Sequence, residues 1–275
     1  MNARTEIPKR IIQTGKNADL PLLNRAAVVN LKSLNPDFEH LFFDDGKVDA
    51  FFDEEPVEHR EFLKLMRFPI QKYDFFRYLV IYRYGGFYFD LDVFLAAGLA
   101  KLREHGCVFS FEELNISRFL RQRYGMDWGV GNYGFGAAPG HPFLKAVIEN
   151  CLRAQKDPKW VEPMMREVPR LFRTKFQVLS TTGPLLVSRT LAENPDLAQA
   201  ITVLFPDDVC DRRNWHNFGT IGVHLMEGTW RGEDGRVRRR LASMWEEWSL
   251  QRLMKQSVRL GKTRQVAGNE EGPER

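Results

Sequence analysis

Hydrophobic and polar positions along this chain switch between a period of about 2 and one of about 3.6, and the switches mark out alternating strands and helices. Residues 9–14 (KRIIQT) predict a first strand, and Leu22–Leu34 an amphipathic helix ended by Asn35-Pro36. Residues 38–43 predict a second strand running into Asp44-Asp45. A helical pattern then spans Pro69–Tyr84, opened by a proline suited to the first turn and closed by Gly85-Gly86. Phe87, Tyr88 and Phe89 follow with the β-propensity of a buried strand. Side chains alternate across a strand, so Asp90 and Asp92 are expected to point one way and Leu91 back into the core. Later strands are predicted at 107–111, 133–138, 201–205 and 221–226, and helices at about 142–155, 158–172 and 184–193. This alternation favours an α/β fold, and no internal repeat is visible.

Composition narrows the class. With 275 residues, 43% of them hydrophobic, the chain can fill the core of one large α/β domain, expected over 1–264. It contains no run of about 18 apolar residues that would predict a transmembrane helix. The opening MNARTEIPKR lacks the apolar stretch of a signal peptide, which predicts a cytoplasmic protein, including one peripheral to the inner membrane; secretion by another route stays open. Cys107, Cys151 and Cys210 are far apart without metal spacing and are expected to be reduced core residues.

The net charge of +4 is unevenly placed: residues 231–264 carry ten Lys/Arg against four Asp/Glu. Within them Leu241, Met244, Trp245 and Trp248 share one helical face. This basic amphipathic segment reads either as a helix docked on the core or as one touching anionic lipid. Residues 265–275 are polar and expected to be disordered. Nucleic acid is not an expected partner, because no aromatic-basic sheet motif accompanies the charge.

The chemistry concentrates in YDFFRYLVIYRYGGFYFDLDV, residues 73–93. Two neighbouring acids repel and desolvate badly, so such a pair suits a hard cation that brings phosphate ligands of its own. A divalent metal on a diphosphate fits, and with it a nucleotide-sugar transferase. The segment resembles the DXD region of glycosyltransferase family 32, which includes yeast initiating α-mannosyltransferases and bacterial capsule and lipopolysaccharide enzymes. It is more distantly similar to the glucosylating domains of large clostridial toxins. Asp74, Arg77, Tyr78, Ile81, Gly85, Gly86, Tyr88, Asp90 and Asp92 carry the resemblance. IPKRIIQT, NPDFEHLFFDD, GNYGFGAAPGHPFLKAVI, TTGPLLV and HLMEGTW extend it over about residues 7–232. Where the family has His and Trp in H-Q-T-W, this chain has Ile12 and Gly15, so the base-stacking aromatic expected there is absent.

The resemblance implies a GT-A type nucleotide-binding fold with a mixed, mostly parallel sheet and added helices. It also implies a retaining enzyme using Mn²⁺ or Mg²⁺ that moves a hexose, preferably from a UDP-sugar, to a glycan, lipid-linked or protein acceptor in surface polysaccharide or lipopolysaccharide synthesis. Asp92 would be the direct metal ligand, and Asp90 would reach the ribose and, through water, the metal. Asp74 would accept from donor-sugar hydroxyls and Arg77 would lie near sugar and diphosphate, although an i,i+3 pair can equally be a structural ion pair. His224 is read either as completing the metal shell or as a core histidine. Thr229 and Trp230 would close over the phosphates. Gln13 and Thr14 end the first strand at the mouth of an open sheet, where nucleotides sit, and are assigned to base or ribose. Asn132 is read as a donor or acceptor contact or a plain turn residue, and Thr182 and Gly183 as shaping the acceptor side. Glu112 and Glu113 follow a strand, as candidates for a carboxylate under the anomeric carbon or as solvated acids. Two alternatives share these residues: a secreted effector that glycosylates a host protein, and a non-catalytic sugar-nucleotide or glycan binding module.

Overall fold

Strand residues that are apolar on both sides need cover on both sides, and the core is accordingly split by a central sheet. The structure is a computed structural model that describes residues 6–114, 117–166, 168–226 and 244. In chain order it has β1 (Arg10–Thr14), α1 (Leu22–Leu34), β2 (Glu39–Phe43), α2 (Asp45–Asp53), α3 (Val57–Lys64), α4 (Pro69–Tyr84), β3 (Gly86–Phe89) and β4 (Val93–Leu95). Then come β5 (Cys107–Leu114), α5 (Arg118–Tyr124), β6 (Trp128–Ala137), α6 (Pro142–Lys156), α7 (Pro158–Met165), α8 (Arg173–Thr181) and α9 (Pro184–Glu193). The described chain ends with α10 (Pro195–Ala198), β7 (Thr202–Leu204) and β8 (Gly222–His224). No helix among the described residues is long and apolar enough to cross a membrane.

Six strands form one sheet in the order β2-β1-β3-β6-β5-β7, and β4 pairs with β8 in a separate two-stranded ribbon. The contacts β1·β2, β1·β3 and β5·β7 are parallel, while β6 runs antiparallel to both neighbours. This is the mixed, mostly parallel α/β sheet that the sequence implies. Strand alternation sorts the core: Ile12, Tyr88, Phe109 and Phe135 belong to a large cluster shared with α4, α6 and α9. Ile11, Phe87, Phe89 and Val108 belong to a smaller cluster with Leu31 of α1 and Val93 of β4. Each phenyl ring withdrawn from water stabilises the fold by about 1.5–3 kcal/mol.

Helix α4 is buried on almost every side, which is why its sequence shows no single apolar face and its buried polar residues Gln71, Asp74 and Arg77 are all partnered. Its first turn is held by Gln71, whose Oε1 accepts the N–H groups of Arg67 and Phe68, both at 3.0 Å. Its end is fixed by Gly85 at φ +66°, where a side chain would also strike Pro139 at 2.6 Å. Glycine alone meets both demands.

Several expectations are corrected. The helix expected over 158–172 ends at Met165, because Pro169 disfavours helical backbone at the residue before it; a separate helix, α8, follows. Glu112 and Glu113 lie inside β5 instead of after it, on a strand whose pairing with β6 shifts register twice. Asn132 sits in mid-strand, since β6 begins at Trp128. Cys107 and Cys151 are buried as expected, but Cys210 is exposed. Of the basic segment 231–264 only Met244 lies among the described residues, and it is exposed; the polar tail lies outside them.

Candidate active site

The site forms where the C-terminal ends of β1 and β3 meet the middle of β6. The register Ile12↔Tyr88 brings Gln13 and Thr14 level with the end of β3, at the kind of strand edge where open α/β sheets bind ligands. Asp90 has already left the strand. Its N–H donates to the Tyr133 carbonyl at 2.8 Å and its carbonyl accepts the Val93 N–H at 3.3 Å, so residues 90–93 make a turn. The two carboxylates converge because of this turn and not because of strand alternation. Leu91 accordingly does not return to the core: it is half-buried, and Asn24 of α1 donates to its carbonyl at 3.1 Å.

The ribbon supplies the third group. Pairing of Val93 with His224 and the Leu225 N–H bond to the Asp92 carbonyl (3.0 Å) place the imidazole beside the acids. Nε2 of His224 lies 3.2 Å from Asp92 Oδ1. One ligand atom each from Asp90, Asp92 and His224 falls within 4.8 Å of the others. The His224 ring stacks on Tyr133 with centroids 4.3 Å apart, while its buried Nδ1 has no hydrogen-bond partner among the described residues. Stacking, not a hydrogen bond, therefore orients the ring with Nε2 towards the carboxylates. Two carboxylate oxygens and one imidazole nitrogen suit Mn²⁺ and are compatible with Mg²⁺, so the residues present fit the expected cation.

Behind this trio lies a second acid, Asp74, in a fully protein-lined setting. Its Oδ1 accepts from Asn132 Nδ2 at 3.1 Å and faces Arg77 Nη2 at 3.3 Å; its Oδ2 accepts from the Thr182 hydroxyl at 2.9 Å. Burial pushes its pKa up to about 6, against the opposing pull of Arg77, Thr182 and Asn132. Arg77 joins the two acids: Nη1 donates to the Asn132 carbonyl at 2.8 Å and lies 3.3 Å from Asp90 Oδ1. Its guanidinium also sits over the Tyr88 ring, 4.8 Å from the centroid. The Tyr88 hydroxyl donates to Asp90 Oδ1 at 3.0 Å and lies 3.0 Å from the Thr14 hydroxyl. Burial raises the Asp90 pKa, and the positive charge of Arg77 acts against that rise.

Most of the residues singled out from sequence thus meet in one place, but some occupy different positions from those expected. Gln13 is fully buried; its Nε2 donates to the Asp90 carbonyl at 3.4 Å, and its Oε1 accepts from His40 at 2.8 Å. Burial, together with Lys32, lowers the His40 pKa to about 4, so that imidazole is neutral. Thr182, expected on the acceptor side, is buried and spends its hydroxyl on Asp74; Gly183 precedes α9. Glu112 pairs with His216, Nδ1 to Oε1 3.3 Å. Its carboxylate packs over Gly131, where a Cβ would stand 2.6 Å from Glu112 Oε2, Ser110 Oγ and the Tyr133 ring. Gly15 faces the Phe42 ring at 2.8 Å from where its Cβ would be, so a tryptophan has no room there. Thr229 and Trp230 lie outside the described residues. Sequence reasoning missed Tyr88, Tyr133 and Tyr78 as site-building groups: their hydroxyls and rings resemble core aromatics until the fold shows what they touch.

Residues 23–109 match a family described as "Glycosyltransferase sugar-binding region containing DXD motif". The chain is 29% identical over 183 residues to a mannosyl phosphorylinositol ceramide synthase of Saccharomyces cerevisiae, covering 66% of this chain and 42% of that protein. It is 26% identical over 228 residues to inositol phosphoceramide mannosyltransferase 2 of Schizosaccharomyces pombe, covering 77% of this chain and 59% of that one. This chain therefore spans about half the length of these relatives. Among solved structures, the PaToxG glycosyltransferase aligns with a TM-score of 0.47 at 15% identity, over 71% of this chain and 76% of that one. Residues 23–109 are thus similar to the sugar-binding region of DXD glycosyltransferases.

Proposed function

We propose that this chain is a metal-dependent glycosyltransferase that moves a hexose from a nucleoside-diphosphate sugar to a hydroxyl acceptor. The observation that carries this reading is the convergence of Asp90, Asp92 and His224 within 4.8 Å, beside the buried Arg77. A divalent cation held by those three side chains would neutralise the charge that grows on the departing diphosphate. Arg77 holds the Asp90 carboxylate, and Asp74 and Asn132 fix Arg77. The Tyr88 hydroxyl, itself bonded to Thr14, donates to Asp90 Oδ1, an oxygen for which a ribose hydroxyl would compete. Thr229 and Trp230 belong to this reading as the residues that shut water out, because hydrolysis competes with transfer.

The reaction we favour retains configuration by substitution on one face. The acceptor oxygen bonds to the anomeric carbon as the carbon–phosphate oxygen bond breaks, the bonding pair leaves with the diphosphate, and the acceptor proton passes to a diphosphate oxygen. No dedicated protein base is required. The names of the relatives favour mannose as the sugar and an inositol phosphoceramide-like lipid as the acceptor, ahead of the UDP-hexose and polysaccharide acceptor favoured by sequence alone. The test is nucleotide release from a panel of GDP- and UDP-sugars with Mn²⁺, with and without lipid acceptor. Metal-dependent release that EDTA abolishes supports the reading; release indifferent to EDTA removes it.

A further inference from the structure

A helix on a protein surface normally buries its apolar stripe and shows polar residues to water. Helix α1 does the reverse on its outward side. Asn24, Ala27 and Leu31 are buried against the body of the protein. Leu22, Ala26 and Val29, spaced by four and three residues, form an exposed apolar row, with Leu22 76% and Val29 61% accessible. Leu23 borders the row on one side, and the exposed Arg25 and Lys32 line the other. The helix contains no acidic residue.

We propose that this face of α1 is a docking surface for an anionic phospholipid bilayer. Leu22, Ala26 and Val29 would enter the boundary between headgroups and acyl chains, and Arg25 and Lys32 would meet lipid phosphates. Charge selects this occupant over the chain's own amphipathic segment. Residues 231–264 hold ten Lys/Arg against four Asp/Glu, so they repel Arg25 and Lys32 and share their preference for an anionic surface. The docking face is also coupled to the reaction centre. On the opposite side of the helix Asn24 donates to the Leu91 carbonyl at 3.1 Å, inside the turn that carries both acids. Asn30 exchanges two hydrogen bonds with Leu95 of β4, at 3.0 and 2.7 Å. A membrane on α1 would therefore lie about one helix diameter, roughly 10 Å, from the acidic turn. Delivery of a lipid-borne acceptor to that turn rests on the transferase reading; the docking itself does not.

Sedimentation of the full chain with phosphatidylcholine vesicles, with and without phosphatidylglycerol, tests this. Wild type is expected to bind the anionic vesicles and not the neutral ones. Leu22→Ser with Val29→Ser should weaken binding about tenfold or more. Arg25→Glu with Lys32→Glu should weaken it roughly thirty-fold. Thermal melting and donor hydrolysis in solution should be unchanged in both double variants. Vesicle binding that survives both double variants, or a dimer of the full chain that the serine variant dissolves, overturns the proposal. Failure of the transferase reading looks different: no donor hydrolysis, with vesicle binding still dependent on α1.

Discussion

Two acidic centres lie one arginine apart, and they differ in what the protein leaves undone. At Asp74, Arg77, Asn132 and Thr182 all contribute to satisfying the carboxylate inside the fold. At Asp90 and Asp92 the same residue type sits at a turn, with the Asp90 side chain 28% accessible, Asp92 buried and the His224 imidazole within reach of both. A carboxylate enclosed by three protein groups builds structure, whereas two carboxylates converging with an imidazole are a set that would suit a cation. Arg77 contacts both and keeps two like charges from facing each other alone.

The difference can be broken from either side. The largest effect should come from Asp92→Ala, which is expected to lower Mn²⁺-dependent turnover about 1,000-fold, some 4 kcal/mol, while leaving the urea midpoint nearly unchanged. Turnover equal to wild type would sink the cation site. Arg77→Met should act in the opposite register, destabilising the fold by about 3–5 kcal/mol because two carboxylates lose their counter-charge; chemical denaturation reads this directly. His224→Ala should weaken Mn²⁺ binding at least about tenfold in a calorimetric titration, and an unchanged affinity would return His224 to the core.

Asp74 offers a pH signature of its own. Its pKa is raised from 3.8 to about 6, so its contribution to stability is fully present below about 3.8 and is lost as pH rises through about 6. Relative to Asp74→Asn, wild type should therefore lose stability between those values and run parallel to the variant above them. Parallel curves throughout would show that the carboxyl is not desolvated. Thr182→Val should have the smallest effect, about 1–2 kcal/mol of stability from one buried hydrogen bond.

Local signals were legible in the sequence. Pro69 and Gly85 fixed both ends of α4, and KRIIQT and the aromatic run 87–89 marked β1 and β3. The meeting of Asp74, Arg77, Asp90 and Asp92 was also legible, through the longer pattern around the acids, whereas His224 was suggested only by the resemblance of HLMEGTW, with a core histidine left open. Contacts between distant segments were not. Nothing in TTGPLLV says that Thr182 bonds Asp74, or in GNYG that Tyr133 will carry an imidazole on its ring. Helix α2 escaped notice because its apolar residues Val48, Phe51 and Phe52 are few, although Asp44 caps it by accepting the Lys47 N–H at 2.9 Å. The DXD turn was misread as strand because period-2 alternation and a tight turn can place two acids on the same side.

The pairing of β4 with β8 has a consequence for the order in which the molecule becomes competent. Asp90 and Asp92 leave the ribosome well over a hundred residues before His224 does, yet the register Val93↔His224 is what completes the trio. On the transferase reading proposed above, a nascent chain would carry an unfinished cation centre through most of its synthesis and gain the last ligand only when a late, three-residue strand clips onto an early one. Manganese should in turn act as a clasp on that late step, slowing amide exchange at residues 222–224 of the ribbon more than in the six-stranded sheet.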